Sequence, residues 1–308
     1  MFFTRKAPKL VWTENKQWMN SKPLTPELLK GKIVLLDFWT YSCVNCLRTL
    51  PALKHMWENY HKKGLMIIGV HTPEFEFEKD YDNVKKATEK FNVQYPVILD
   101  NDYKTWSAYN NHYWPRKYII DIDGFIVYDH IGEGAYKETE LKIQDLLGER
   151  KNVLGLGITI PKGIVSINQE IAIGRLTPEI YFGYGYSRGQ LGNEEGWQDE
   201  KIVSYTSLEE KAMDKFYLDG QWYNNYDYMQ LTSDSGKIYL KYSAKDVNIV
   251  AGADQDTGIK VFNDGVEVGT FTVNDYGLYN VVSLDGRGTH LLEIDVEKGL
   301  KAYTFTFG

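Results

Sequence analysis

Residues 31–46 read GKIVLLDFWTYSCVNC, and this stretch decides the first half of the chain. From Ile33 to Trp39 it is almost unbroken in apolar residues and of strand length, the pattern of a strand covered on both faces. Asp37 is its one charged residue. Its place between Leu36 and Phe38 predicts a buried carboxylate with a raised pKa. Beyond it, Leu47, Leu50, Leu53 and Trp57 recur at spacings of three and four, which predicts a helix over residues 43–62. Cys43 and Cys46 therefore stand where a buried strand enters a helix. A helix N-terminus offers free N–H groups and partial positive charge, and both stabilise a thiolate. Cys43, at the tip, is the expected nucleophile. Cys46 lies one turn inside, placed to attack a mixed disulfide and resolve it.

Working outward, Thr25 and Pro26 read as the cap and first residue of a short helix that Gly31 ends. LMIIGV (65–70) is a second buried strand, 80–91 a helix, 96–100 a strand and 103–110 a short helix. Runs at 117–122 and 125–131 flank Asp123-Gly124, a hairpin signal, and a helix over 136–148 closes the half. The order βαβ…ββα is an α/β layered plan. Glycines and prolines between 150 and 180 mark an irregular connector. Beyond about residue 200, short alternating runs recur at 226–232, 237–243, 246–250, 259–263, 266–273, 279–284, 289–296 and 301–307. Turns such as Asp264-Gly265 and Asp285-Gly286 separate them, which predicts an all-β jelly-roll or β-sandwich domain. Two domains, 1–150 and 151–308, suit the length.

Composition narrows the function. With 43% hydrophobic and 25% charged residues the chain is globular, and no apolar run reaches the roughly 18 residues of a membrane span. No apolar signal core follows Met1-Phe2-Phe3. A native start at Met1 implies the cytoplasm, and trimming from a longer precursor an extracytoplasmic site. The net charge of −7 divides as +1 over residues 1–150 and −8 over 151–308, so a nucleic-acid surface is not expected on the second half. Two cysteines are too few for a disulfide scaffold, and no second ligand pair completes a zinc site. Redox chemistry without metal or organic cofactor is the remaining reading.

These residues resemble the thioredoxin superfamily. Asp37, six residues before Cys43, matches its buried proton-transfer acid, and Trp39 the aromatic beside its active site. Pro51 matches the proline that kinks the active-site helix, and Trp114-Pro115 the cis-proline that faces the disulfide. The resemblance implies a thioredoxin fold and a substrate groove of Trp39, Tyr41, Trp114 and Pro115. GKIVLLDFWTYSCVNC, GVHTPEFEFEKD (69–80) and YWPRKYIIDIDG (113–124) are similar to the TlpA-type branch, and more narrowly to the thioredoxin-like region of DipZ proteins. TPEIYFGYG (177–185), FYLDGQW (216–222) and HLLEIDVEKGLKAYTFTFG (290–308) resemble the β-rich domain that follows it there, a domain similar in fold to carbohydrate-binding modules. The departure is the upstream membrane domain of DipZ proteins, which these residues do not include.

The expected function is thiol–disulfide exchange with protein thiols or disulfides, coupled to an unidentified electron donor or acceptor. Val44-Asn45 between the cysteines leaves the direction open. A thiol peroxidase is the alternative that Thr40-x-x-Cys43 suggests, with Arg116 as activating cation. Leu36 stands where that pattern needs proline. A non-enzymatic binding or assembly protein is the third reading, its saccharide platform built from Trp222, Tyr223, Tyr226 and Tyr228. Glu74 and Glu78 read as solvated loop charges, and Arg48 and Arg116 as surface pairs. His71, His112 and His130 read as core or surface histidines. Asp254 and Asp256 before Gly258 fail the calcium-loop pattern at its third ligand.

Overall fold

The computed structural model describes residues 5–8, 18–164 and 175–308. Met1-Phe2-Phe3 and the middle of the expected connector lie outside them. The chain divides into two compact units, Met1–Glu170 and Ile171–Gly308.

The first unit runs β1 (Arg5–Lys6), β2 (Trp18–Met19), α1 (Pro26–Leu29), β3 (Ile33–Trp39), α2 (Val44–Tyr60), β4 (Leu65–His71), α3 (Tyr81–Lys90), β5 (Val97–Leu99), α4 (Lys104–Ala108), β6 (Arg116–Ile120), β7 (Phe125–Ile131) and α5 (Tyr136–Val153). Its seven strands form one sheet in the order β1-β7-β6-β3-β4-β5-β2. β3, β4 and β5 are parallel, while β6 is antiparallel to β3 and β7 to β6. β3 sits in the middle with all seven residues buried.

The two-residue period of β3 explains how one strand serves two cores. Ile33, Leu35 and Trp39 pack with Leu50, Leu53 and Met56 of α2 and with Ile143, Leu146 and Leu147 of α5. Val34, Leu36 and Phe38 face the other way, into a cluster with Trp106 and Tyr109. Asp37 shares the parity of Leu35 and Trp39, so it points beneath α2. This is the thioredoxin-like α/β fold that the resemblance implied.

The second unit runs β8 (Ile180–Tyr181), β9 (Ile202–Tyr205), β10 (Phe216–Asn224), β11 (Met229–Leu231), β12 (Ser235–Gly252), β13 (Thr257–Asn263), β14 (Val266–Val273), β15 (Gly277–Glu297) and β16 (Lys301–Phe307). It is the expected β domain, strung as β14-β13-β15-β12-β10-β11-β16-β8 with β9 on β10. The runs expected at 237–243 and 246–250 are one strand, as are those at 279–284 and 289–296. Asp285-Gly286 is not a hairpin turn. Ala244 pairs with Gly288 and Asp246 with Ser283, so Lys245 alone opposes four residues in a wide bulge. β12 pairs with β10 before that bulge and with β16 after it, so one long bent strand serves two neighbours in turn. Asp264-Gly265 does close a hairpin, with φ of 51° and 77° as a type I′ turn requires.

Candidate active site

Cys43 caps α2: its sulfur accepts the Cys46 N–H at 3.3 Å. The Cys46 backbone N–H therefore points at the Cys43 sulfur, where it would stabilise negative charge. Both cysteines are free thiols; Cys43 is partly exposed and Cys46 buried. Burial pushes the Cys46 thiol well above the ordinary range, and the Cys43 sulfur and Asp37 push the same way. One sulfur is accessible and the other needs a base.

Asp37 lies beneath the pair, 1% exposed, and its Oδ1 has no hydrogen-bond partner. Burial raises its pKa from 3.8 to about 7, and the Lys117 ammonium opposes the rise. Lys117 is the direct antiparallel partner of Asp37 between β3 and β6 and is 1% exposed. Its Nζ donates to the Gly132 carbonyl at 3.3 Å and lies 5.6 Å from the Tyr136 ring centre. Burial lowers the Lys117 pKa, while Asp37 and then Cys46 hold it up. The sequence reading missed Lys117. No local pattern marks it, because facing Asp37 depends on the register between β3 and β6. Tyr95, also missed, is fully buried; burial raises its phenol, followed by the charges of Asp37 and Cys46.

Glu78 overturns an expectation. It is fully buried, not a solvated loop charge. Its Oε1 accepts from Ser42 Oγ at 2.5 Å, and its Oε2 from the N–H groups of Glu74 at 2.5 Å and Phe75 at 3.1 Å. Burial raises its pKa; the Ser42, Thr40 and backbone hydrogen bonds pull it down. Ser42 is the residue before Cys43, so this carboxylate is tied to the chain immediately before the exposed sulfur. His71 is buried as read, 3.4 Å from the Thr40 hydroxyl and stacked on Tyr41. Burial lowers its pKa to about 3, so it is neutral in ordinary buffers.

The Trp114-Pro115 peptide is cis. The Trp114 indole is partly exposed and donates to the Thr72 carbonyl at 3.0 Å, with Trp106 beside it at 4.3 Å between ring centres. Trp39 and Tyr41 do not line an open groove. They are 0% and 4% exposed and pack as the wall under the dithiol. Pro115 is buried too, whereas Cys43 and Trp114 are partly exposed and Tyr113, next to Trp114 in the chain, is exposed.

Arg116 is one residue from Lys117 and thus on the other sheet face. There it stacks over Tyr118 and ion-pairs with Asp129 at 2.7 Å, so it does not serve the dithiol. Arg48 stands 4.0 Å from Glu133 on the surface. In the second unit the aromatic cluster splits. Trp222 is fully buried core, whereas Tyr226 is exposed and packs edge-on to Tyr184 and Tyr186. The Asp254 carboxylate is engaged by Lys301 at 2.8 and 3.0 Å and by Tyr276 at 2.6 Å. Among the described residues no cluster of three metal-ligating side chains occurs, and no helix is long and apolar enough to cross a membrane.

A strand-to-helix CxxC above a buried acid, beside a strand led by cis-proline, defines a thioredoxin-fold dithiol protein. Two family models match: the AhpC/TSA family over residues 4–129 and the thioredoxin-like C-terminal domain over 177–308. Protein DipZ of Mycobacterium bovis is 37% identical over 298 residues, 94% of this chain and 41% of that protein. The thiol-disulfide oxidoreductase YkuV of Bacillus subtilis is 26% identical over 144 residues, 46% of this chain and 97% of that protein. A solution structure of a thioredoxin-like protein in its oxidised form matches at 28% identity and a TM-score of 0.43, covering 48% of this chain and 99% of that one. The first unit has a thioredoxin-like fold, and the chain is similar along nearly its whole length to DipZ of the TlpA/DipZ-like branch. It spans about two fifths of the length of the DipZ protein it matches.

Proposed function

We propose that the protein is a thiol–disulfide oxidoreductase acting on protein thiols and disulfides. The observation that carries this is the asymmetry of the pair: Cys43 partly exposed at the tip of α2, Cys46 buried over Asp37. In the reducing direction, the Cys43 thiolate attacks a partner disulfide. A mixed disulfide forms, and the released partner thiolate takes a proton. Cys46 then gives its proton to Asp37, its sulfur attacks the Cys43 sulfur, and the displaced second partner thiolate takes up that proton from Asp37. The partner gains two electrons and two protons, and the chain is left with a Cys43–Cys46 disulfide. Asp37 suits the second step because a base near pKa 7 is half ionised at neutral pH. The two sulfurs and these side chains suffice for the exchange. Trp114 and Tyr113 would meet the partner.

The peroxidase alternative draws on the AhpC/TSA match and on Thr40. The placement of Arg116, turned away from the dithiol and paired to Asp129, counts against it. The binding-protein alternative keeps exposed Tyr226 and partly exposed Tyr223 and Tyr228 but loses Trp222, which is buried.

The test is trapping with glutathione disulfide. Cys46→Ser should hold glutathione on Cys43 as a stable mixed disulfide visible by mass, and Cys43→Ser should form none. Glutathione retained by Cys43→Ser instead would reverse the assigned order.

A further inference from the structure

We infer that the Glu78 carboxylate is a positioning residue that biases the Cys43–Cys46 pair towards giving up electrons, so that its partners are oxidised protein disulfides. The inference rests on the exchange activity proposed above and assigns its direction.

The hydrogen bonds to Glu78 favour its ionised form against the burial that raises its pKa. Two backbone N–H groups, which can only donate, converge on Oε2. The Ser42 hydroxyl donates to Oε1 at 2.5 Å. The whole side chain is sealed from water, and so is Ser42. Ser42 immediately precedes Cys43 in the chain, so one bonded hydroxyl links the carboxylate to the nucleophile's neighbour. Inside a water-excluded pocket such a charge is weakly screened.

The sign follows. The disulfide is neutral, whereas the dithiol form gains stability from ionising Cys43. A fixed negative charge beside Cys43 opposes that ionisation and so destabilises the reduced form relative to the disulfide. A pair whose reduced form is less stable is the better reductant. Asp37, on the Cys46 side, acts in the same sense whenever it is ionised. Lys117 opposes it from β6, and His71 is neutral. Glu78 differs from Asp37 in being anchored by backbone donors on its own loop, so its charge is a fixture of the fold rather than a step in the cycle.

The experiment compares the parent chain with Glu78→Gln and Ser42→Ala in glutathione redox buffers at about pH 9, where thiols are largely ionised. Glutamine keeps the shape: its carbonyl can accept the two N–H groups and its amide can donate to Ser42. Glu78→Gln should shift the equilibrium about tenfold towards the dithiol, about 30 mV for two electrons. It should also speed alkylation of Cys43 at neutral pH several-fold. Ser42→Ala removes the anchor but leaves the charge, so it should move the equilibrium less than about threefold, or towards the disulfide. An unmoved Glu78→Gln equilibrium overturns the inference, and so does an equal shift in Ser42→Ala, which would make loop geometry the cause. A parent chain with no reversible exchange refutes the activity itself, a result distinct from either.

Discussion

Replacing Asp37 by Asn should stabilise the first unit at neutral pH while crippling the resolving step. The carboxyl moves from 3.8 to about 7 on burial. At about 1.4 kcal/mol per pH unit, that gap corresponds to about 4 kcal/mol. Below pH 3.8 the proton is bound in both folded and unfolded chains, and nothing is lost. As pH rises from there to about 7, the unfolded chain ionises and the folded one does not, so stability falls. Above that range the loss is complete. An Asn side chain carries no such loss, so the advantage of the variant should grow by about 4 kcal/mol between about pH 4 and pH 8. Lys117 loses its counter-charge in the variant. That offset displaces the whole difference without creating the slope. Hydrogen exchange of the β3 amides under urea reads the unit containing Asp37 by itself. A difference that stays flat across this pH range, or shrinks as pH rises, refutes the argument. In the same variant, stopped-flow resolution of a Cys43 mixed disulfide should slow about a hundredfold and lose its inflection near pH 7.

Two further outcomes follow from the groups around Asp37. Lys117→Met removes the one charge that holds the Asp37 carboxyl down, so the inflection in resolution rate should move about one pH unit to the alkaline side. A shift to the acid side, or none, measured in the same stopped-flow assay, excludes the pairing. His71 is held from 6.5 down to about 3 by burial, so stability present above pH 6.5 is lost as pH falls through that window, by up to about 5 kcal/mol. His71→Gln should therefore lower the midpoint of acid unfolding, followed by hydrogen exchange of β4; an unchanged midpoint would show that His71 is protonated without penalty.

The parts of this protein that obey a period were legible in sequence. The apolar run 33–39 gave the central strand, and the spacing of Leu47, Leu50 and Leu53 gave the helix that carries the cysteines. Thr25 and Pro26 marked the start of α1 as capping chemistry requires. Lys117 was hidden because facing Asp37 is a fact of register between β3 and β6, and register is set by long-range pairing. Glu78 was hidden for a local reason. In PEFEFEKD, acidic and aromatic residues alternate, so three glutamates look equivalent, yet the loop folds back and supplies its own N–H groups to only one of them. In the second unit, the strands Ile202–Tyr205 and Phe216–Asn224 escaped notice, the latter because FYLDGQW carries Asp219 and Gly220 where alternation should continue. β15 was split because its bulge around Asp285-Gly286 has the composition of a turn, and β12 was split opposite it at Lys245.

The same parity that exposes one site conceals another. Arg116 and Lys117 are neighbours in sequence, and sequence reasoning favoured the arginine. On β6 they point to opposite faces, so the lysine meets Asp37 while the arginine meets Asp129. Burying a lysine and a carboxylate together is costly, and such a pair is weak evidence for stability. Its orphaned Oδ1 and its pKa near 7 are therefore better read as features of a proton acceptor than of a structural ion pair. A structural carboxylate would have both oxygens satisfied. Glu78 shows that contrast within this fold: its two oxygens are saturated by donors, and it holds chain rather than a travelling proton. Two buried acids near one dithiol thus divide by hydrogen bonding: the unsaturated one is suited to accept a proton from Cys46, and the saturated one is held by its own loop.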